Sequence, residues 1–304
     1  MISPTAHIED LYKRAAECER SNIAVVCADD AHVLKAAASA QDMASFVLVG
    51  NTEKIKRAAE DADADISRMH IIDEPDAGKA CLAAVSLVAS GTAQALMKGL
   101  VDTSVIMKAV LDKNAGMRTG RTLSHLAILA VPEYHKLLFV TDAAINIAPD
   151  LETKMVIIQN AVQAVTNLGI SCPKVALLAA KEKADPKMPA TLDAAELAAR
   201  HKNGEIPGCV LDGPLALDNA VSIWSAQVKG IDSPVCGDAD ILVCPDIESG
   251  NILYKSLAFL ASAKSGGVVL GAKKPVILTS RADSAENKRI SIMMGILSGG
   301  TTTL

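Results

Sequence analysis

Short runs of β-branched and aliphatic residues alternate along this chain with longer stretches whose apolar positions recur every three or four residues. The runs Ile23 to Ala28, Phe46 to Val49, Ala95 to Met97, Leu137 to Thr141, Val175 to Ala179, Ile241 to Cys244 and Val276 to Thr279 predict strands. The plainest helix follows Pro149-Asp150, where Leu151, Met155, Ile158, Val162, Val165 and Leu168 mark one face before Gly169 stops it. Asp150 is its expected cap. Strands alternating with helices predict βα units, a mainly parallel sheet and an α/β fold. The Lys- and Pro-rich segment from Lys181 to Pro189 predicts a solvated loop rather than a linker.

Composition sharpens this picture. Half the residues are hydrophobic but only 2% are aromatic, so Ala, Val, Ile and Leu must build the core, as in helix-covered parallel sheets. The 304 residues exceed one ordinary core, which implies two domains or one large α/β unit. A net charge of −5 without a long run of like charges argues against a nucleic-acid or membrane partner. The apolar stretches fall far short of the roughly 18 residues that a membrane span needs. The start Met1-Ile2-Ser3-Pro4 leads into polar residues without a signal segment, so a cytoplasmic protein is expected. Seven scattered cysteines, with no Cys-x-x-Cys pair, predict buried reduced thiols.

Four segments gather glycine, hydroxyl and cationic residues just beyond expected strands, where open α/β sheets place ligands. Leu96 to Lys108 ends a strand at Lys98-Gly99 and starts a helix near Asp102, Thr103 and Ser104, a combination that can hold an anion or merely cap a helix. Arg118 to Pro132 places Arg118 and Arg121 before a strand carrying Ser124 and His125; arginine suits phosphate, but loop arginines are usually just solvated. His125 is more often a satisfied strand residue than a base. Pro245 to Lys255 turns from Asp246 into a helix through Ser249-Gly250-Asn251, so that glycine admits close approach of a ligand and Asn251 offers an amide; an ordinary strand-to-helix turn would look the same. Thr279 to Arg289 sets Ser280 and Arg281 between a strand end and a helix start.

Other chemistries lack their parts. The chain carries no G-x-x-x-x-G-K-[ST], G-x-G-x-x-G, His-Glu-x-x-His or G-x-S-x-G. Anion handling by hydroxyls, amides and cations remains.

The Lys98-Gly99 segment with Thr103-Ser104, the stretch DGPLALDNAVS from Asp212 to Ser222, PDIESGNILYK and TSRADS together resemble the phosphate butyryltransferases and, more distantly, the phosphotransacetylases. The likeness runs through nearly the whole chain. It implies two α/β domains of mainly parallel sheets, an isocitrate/isopropylmalate dehydrogenase-like architecture and an active site in the interdomain cleft. By analogy the first domain comprises residues 1–133 plus 272–304 and the second 134–271, with the helix after Asp283 packed on the N-terminal half. A homodimer or larger homo-oligomer is implied.

The implied reaction is butanoyl-CoA plus phosphate giving butanoyl phosphate plus CoA in a ternary complex, with coenzyme A as substrate, no bound cofactor and no metal. The alternatives are a phosphate acetyltransferase with the same site, a catalytically silent module that binds acyl phosphate or CoA, and an oxidoreductase of the dehydrogenase architecture, whose acidic metal cluster is not visible in the sequence. By resemblance, Ser280 and Arg281 hold the acyl phosphate near the thiol. Lys98, Gly99, Thr103, Ser104 and Ser124 bind phosphate, together with Lys108, which falls close to a family arginine. Asp246, Gly250, Asn251, Tyr254, Lys255 and Asn287 serve CoA or substrate. The S-G-A-x-H-S-T segment of the phosphotransacetylases is here Lys98 to Ser104, and Asn287 stands where they carry a catalytic aspartate. Asp283, one turn earlier on the predicted helix, is therefore the candidate base; the competing expectation is a capping box of Asp283 with Glu286.

Overall fold

The computed structural model describes residues 4–280 and 283–299. The chain divides into two compact units, one of residues 8–121 with the C-terminal segment from 265, the other of residues 122–264 with the residues before Ile8.

In the first unit, helix α1 (Pro4–Glu17), which belongs to it from Ile8 onward, precedes β1 (Ser21–Val26), α2 (Ala31–Ser39), β2 (Ala44–Gly50), α3 (Thr52–Asp61), β3 (His70–Asp73), α4 (Ala77–Ala89), β4 (Ala95–Lys98) and α5 (Thr103–Val110). Polar residues at the strand ends start the helices. Asp30, Asn51 and Asp76 each accept a backbone N–H from the first turn of α2, α3 and α4.

The second unit runs through β5 (Ser124–Ala130), β6 (Leu138–Thr141), α6 (Leu151–Asn167), β7 (Lys174–Leu178), α7 (Pro189–Lys202), β8 (Val210–Leu215), α8 (Leu217–Val221), α9 (Ile223–Val228), β9 (Ile241–Val243) and α10 (Ile247–Phe259). The chain then returns to the first unit as β10 (Lys264–Leu270), β11 (Val276–Ile277) and α11 (Ala285–Ser298).

Strand order in the first unit is β3-β2-β1-β4-β11-β10, parallel except where β10 meets β11. In the second it is β5-β6-β9-β7-β8, parallel except for β5 against β6. The central strands β1, β4, β5, β6 and β9 are almost wholly buried, as expected of sheets covered on both faces. In the second unit Leu129, Val140, Ala176, Leu215 and Leu242 share one apolar cluster. Asp150 caps α6 as expected, its carboxylate accepting the Thr153 N–H.

Helix α11 packs on α2 and β11 with a long buried face. Two polar links bind it to β10: the Ser265 N–H donates to Asn287 Oδ1 at 3.2 Å and the Gly267 N–H to Ser291 Oγ at 3.0 Å.

The structure departs from expectation in three places. Asp283 does not lie on α11, because Ser284 is the cap that accepts the Asn287 N–H, so the expected Asp283–Glu286 capping box does not form. The strands β3, β8 and β10 arise where no strand was expected. Of the seven cysteines only five are buried, since Cys18 and Cys172 are exposed.

Among the described residues no helix is long and apolar enough to cross a membrane.

Candidate functional site

The expected site residues fall into two groups, one in each unit. In the first unit, β4 ends in Lys98, which is only 6% exposed and therefore does not snorkel outward. Its Nζ lies 3.4 Å from the Gly99 carbonyl oxygen. Glycine is required at 99, since a Cβ there would collide with the carbonyl oxygens of Val26 and Cys27 at the end of β1. The Gly99 and Leu100 N–H groups donate to those same two oxygens, each at 2.8 Å. Asp102 takes the cap position of α5 without a side-chain capping bond, and Thr103 and Ser104 are exposed at the helix start. Lys108 sits exposed in the last turn of α5.

Strand β11 lies parallel to β4, with Ile277 paired to Met97, so the segment leaving β11 runs beside Lys98. Ser280 is exposed there. Its N–H donates to Asp283 Oδ2 at 2.7 Å, and the Asp283 N–H returns a bond to the Ser280 carbonyl at 3.2 Å. Arg281 lies outside the described residues.

A residue that the sequence did not suggest completes this group. Lys288, on the first turns of α11, is 1% exposed and donates from Nζ to the carbonyl oxygens of Ser280 at 2.7 Å and Asp283 at 3.1 Å. Burial raises the Asp283 carboxyl above its usual range, against the Ser280 N–H and the charges of Lys288 and Lys98, which pull it down. Burial likewise lowers the Lys288 ammonium, with Asp283 and Asp30 opposing. Asn287 engages its amide with Ser265, through the bond to the Ser265 N–H and a longer one from Nδ2 to Ser265 Oγ at 3.4 Å.

In the second unit, Ser124 opens β5 fully buried, its Oγ accepting from Asn160 Nδ2 at 3.0 Å. His125 beside it is buried, and its Nδ1 finds no hydrogen-bond partner among the described residues, so it is not the satisfied strand residue expected. Burial lowers its pKa, with nearby Asp142 acting the other way. The His125 ring meets that of Tyr254 edge-on at 6.2 Å.

The Pro245 to Lys255 motif turns inward on the protein itself. Asp246 caps α10 by accepting the Ser249 N–H at 2.8 Å. Backbone lies hard against its glycine: a Cβ at Gly250 would collide with the Asp142 carbonyl oxygen. Asn251 Nδ2 donates to the Ala143 carbonyl at 3.0 Å, while Tyr254 is half-buried and Lys255 exposed.

All of this braces a loop that the sequence did not flag. Asp142, 3% exposed, accepts the Ala144, Ile145 and Asn146 N–H groups and the Asn146 side-chain amide at 2.6 Å. The only advance signal was an Asp just past a strand end followed four residues later by Asn.

Among the described residues no group of three or more His, Cys, Asp or Glu side chains is placed to hold a metal ion. The first group offers cations, a hydroxyl and a partly buried carboxylate of raised pKa, a set suited to an anion and a proton transfer.

A family model described as phosphate acetyl/butaryl transferase matches residues 75–296. The phosphate butyryltransferase of Clostridium acetobutylicum is 44% identical over 284 residues, 93% of this chain and 94% of that protein. The phosphate acetyltransferase of Thermotoga maritima is also 44% identical, over 276 residues covering 90% of this chain and 93% of that one. Among solved structures, a branched-chain phosphotransacylase from Enterococcus faecalis V583 matches with a TM-score of 0.82 at 34% identity, covering 92% of this chain and 99% of the other. A family match of that extent, joined by relatives so similar along nearly their whole lengths, means that the chain belongs to the phosphate acetyl/butaryl transferase family and is a phosphate acyltransferase.

Proposed function

We propose that this enzyme carries out the reversible transfer of a butanoyl group between coenzyme A and phosphate, by direct attack in a ternary complex. The observation that carries the mechanism is the Asp283 carboxylate, raised in pKa by burial and bonded to the Ser280 N–H beside the buried cations Lys98 and Lys288. A thiol with a pKa near 8.5 is only a few per cent ionised at neutral pH, so a carboxylate lifted toward neutrality is a useful proton acceptor.

When CoA is acylated, Asp283 takes the thiol proton, the sulfur attacks the acyl-phosphate carbonyl, and the carbon–oxygen bond to phosphate breaks. In the other direction phosphate oxygen attacks the thioester, the carbon–sulfur bond breaks and the proton returns to sulfur. Ser280, Lys98 and Arg281 hold the phosphate and the developing oxyanion; pre-aimed donors of this kind are each worth about 10²–10³ in rate. Thr103, Ser104, Lys108 and Ser124 are assigned to phosphate, and Asp246, Gly250, Asn251, Tyr254, Lys255 and Asn287 to CoA or the acyl substrate.

Butanoyl is preferred because relatives named phosphate butyryltransferase match 93–96% of the chain, and because Lys98-Gly99-Leu100 replaces the phosphotransacetylase Ser-Gly-Ala. The equal identity of an acetyltransferase supports acetyl as the second reading. Thiol release from acetyl-, propanoyl-, butanoyl- and isobutanoyl-CoA, with and without phosphate, tests both. Phosphate-dependent release, fastest with butanoyl-CoA, is expected; acetyl preference would replace the acyl assignment, and phosphate-independent release would remove the mechanism.

A further inference from the structure

A lysine side chain in the first turns of a helix normally reaches water, because its ammonium is strongly hydrated and costly to bury. Lys288 does the opposite. It is 1% exposed, and its Nζ donates to two backbone oxygens, those of Ser280 and Asp283, residues eight and five positions earlier. Backbone carbonyls alone repay little of the burial cost, so the position carries a charge that a neutral residue would hold more cheaply. The groups facing it explain the choice. Asp283 lies against it from the segment before α11, Asp30 from the start of α2, and Lys98 from the end of β4 acts on the same Asp283 carboxylate. Asp30 is itself occupied as the cap of α2.

We propose that Lys288 is the positioning residue of the acyl-transfer site: its ammonium fastens Ser280 and Asp283 to α11 and holds the Asp283 carboxylate in its anionic, proton-accepting form. This rests on the assignment of Asp283 as base. Lys288 touches no substrate; it acts through the two residues whose backbone it holds. The effect on charge follows from sign. Burial pushes the Asp283 pKa up, and the lysine charge pushes it down. With the charge removed, burial acts with less opposition, the acid form persists to higher pH, and the base-dependent limb of the rate profile moves up. An opposite charge at close range is worth about one to three pH units in such a balance.

The test uses the full chain in the direction of CoA acylation, butanoyl phosphate plus CoA followed as loss of free thiol, read as kcat and KM from pH 5.5 to 9. Lys288→Gln keeps donors for the two carbonyls and loses the charge. Its base limb should move up by about one pH unit, giving about tenfold lower kcat on the acid side of the limb with KM for CoA little changed. Lys288→Met removes charge and donors together and should lower kcat further at every pH, while Lys288→Arg should leave the limb in place. If Lys288→Met does not fold, Lys288→Gln still decides. A wild-type limb position in Lys288→Gln, with only Tm reduced, overturns the proposal and leaves Lys288 as a structural tie. Lack of phosphate-dependent turnover in the wild-type enzyme would instead sink the acyl-transfer reading itself.

Discussion

The Asp283 carboxylate accepts the backbone N–H of Ser280 at 2.7 Å, whereas the cap of the following helix is Ser284. This separates catalysis from stability at position 283. In Asp283→Asn the amide oxygen still accepts the Ser280 N–H, but no proton can be taken. Turnover in the direction of CoA acylation near pH 7 should fall by about 10²–10⁴, with partial recovery toward the thiol pKa. The folded-state pKa of Asp283 is raised, so its ionised form costs folding free energy above that pKa and nothing below the unfolded value of about 3.9. The Tm of Asp283→Asn should therefore match or exceed wild type at pH 7 and lose that advantage in acid. Normal turnover from pH 6 to 8 would leave Asp283 with no role in proton transfer.

Gly250 faces the Asp142 carbonyl oxygen so closely that any Cβ displaces backbone. Gly250→Ala should cost about 1–3 kcal/mol, by the usual penalty for overpacking. Asn251→Ala, which removes only the bond to Ala143, should cost about 1 kcal/mol. Chemical denaturation measures both. A Gly250→Ala protein as stable as wild type would show that the α10 contact yields without cost.

His125 is held neutral by burial. An unfolded histidine gains a proton below about pH 6.5, so the unfolded state binds more protons there and stability falls as pH drops. The slope attributable to this group approaches about 1.4 kcal/mol per pH unit. Comparing Tm at pH 7.5 and 5.5, wild type should lose more than His125→Asn. Equal losses would mean that the folded protein accepts His125 charged.

Much of the fold was legible because the central strands are aliphatic throughout and α6 carries both its periodic face and its Asp150 cap. β8 and β10 escaped notice because glycine and proline interrupt them. Those glycines answer to neighbours distant in sequence: a Cβ at Gly213 would meet Leu177, and one at Gly266 would meet Ile290 and Ser291. Close packing of that sort erases the local propensity on which strand prediction relies. The same applied at the site. Gly250 and Asn251 stood out as binding residues, but nothing in the sequence showed that Gly250 packs on the Asp142 carbonyl and Asn251 bonds to that of Ala143, partners more than a hundred residues away. Lys288 was hidden within the charged run Glu286 to Arg289, where nothing marks one side chain as buried.

Thiol chemistry offers a separate check. Cys18 and Cys172 are exposed, while Cys27, Cys81, Cys209, Cys236 and Cys244 are buried. Burial pushes Cys209 up to about 11 and Cys244 up to about 12, and Cys27 also rises, chiefly through its hydrogen bond with Cys81. An aromatic disulfide reagent at pH 8 should find two fast thiols in the native protein and seven after denaturation. Three or more fast native equivalents would reveal opening around one of the buried cysteines. The two fast thiols must also be subtracted when CoA release is followed with the same reagent.

The grip of Lys288 on Ser280 and Asp283 uses backbone oxygens, which every residue type supplies. The intervening side chains can therefore change without loosening it, and a comparison by similarity alone would overlook the device wherever they had drifted. What must persist is a spacing, a lysine eight positions after the serine and five after the acid, with a helix cap between them. Searching for that spacing just beyond a short parallel strand offers a way to find the same arrangement in chains too distant to align.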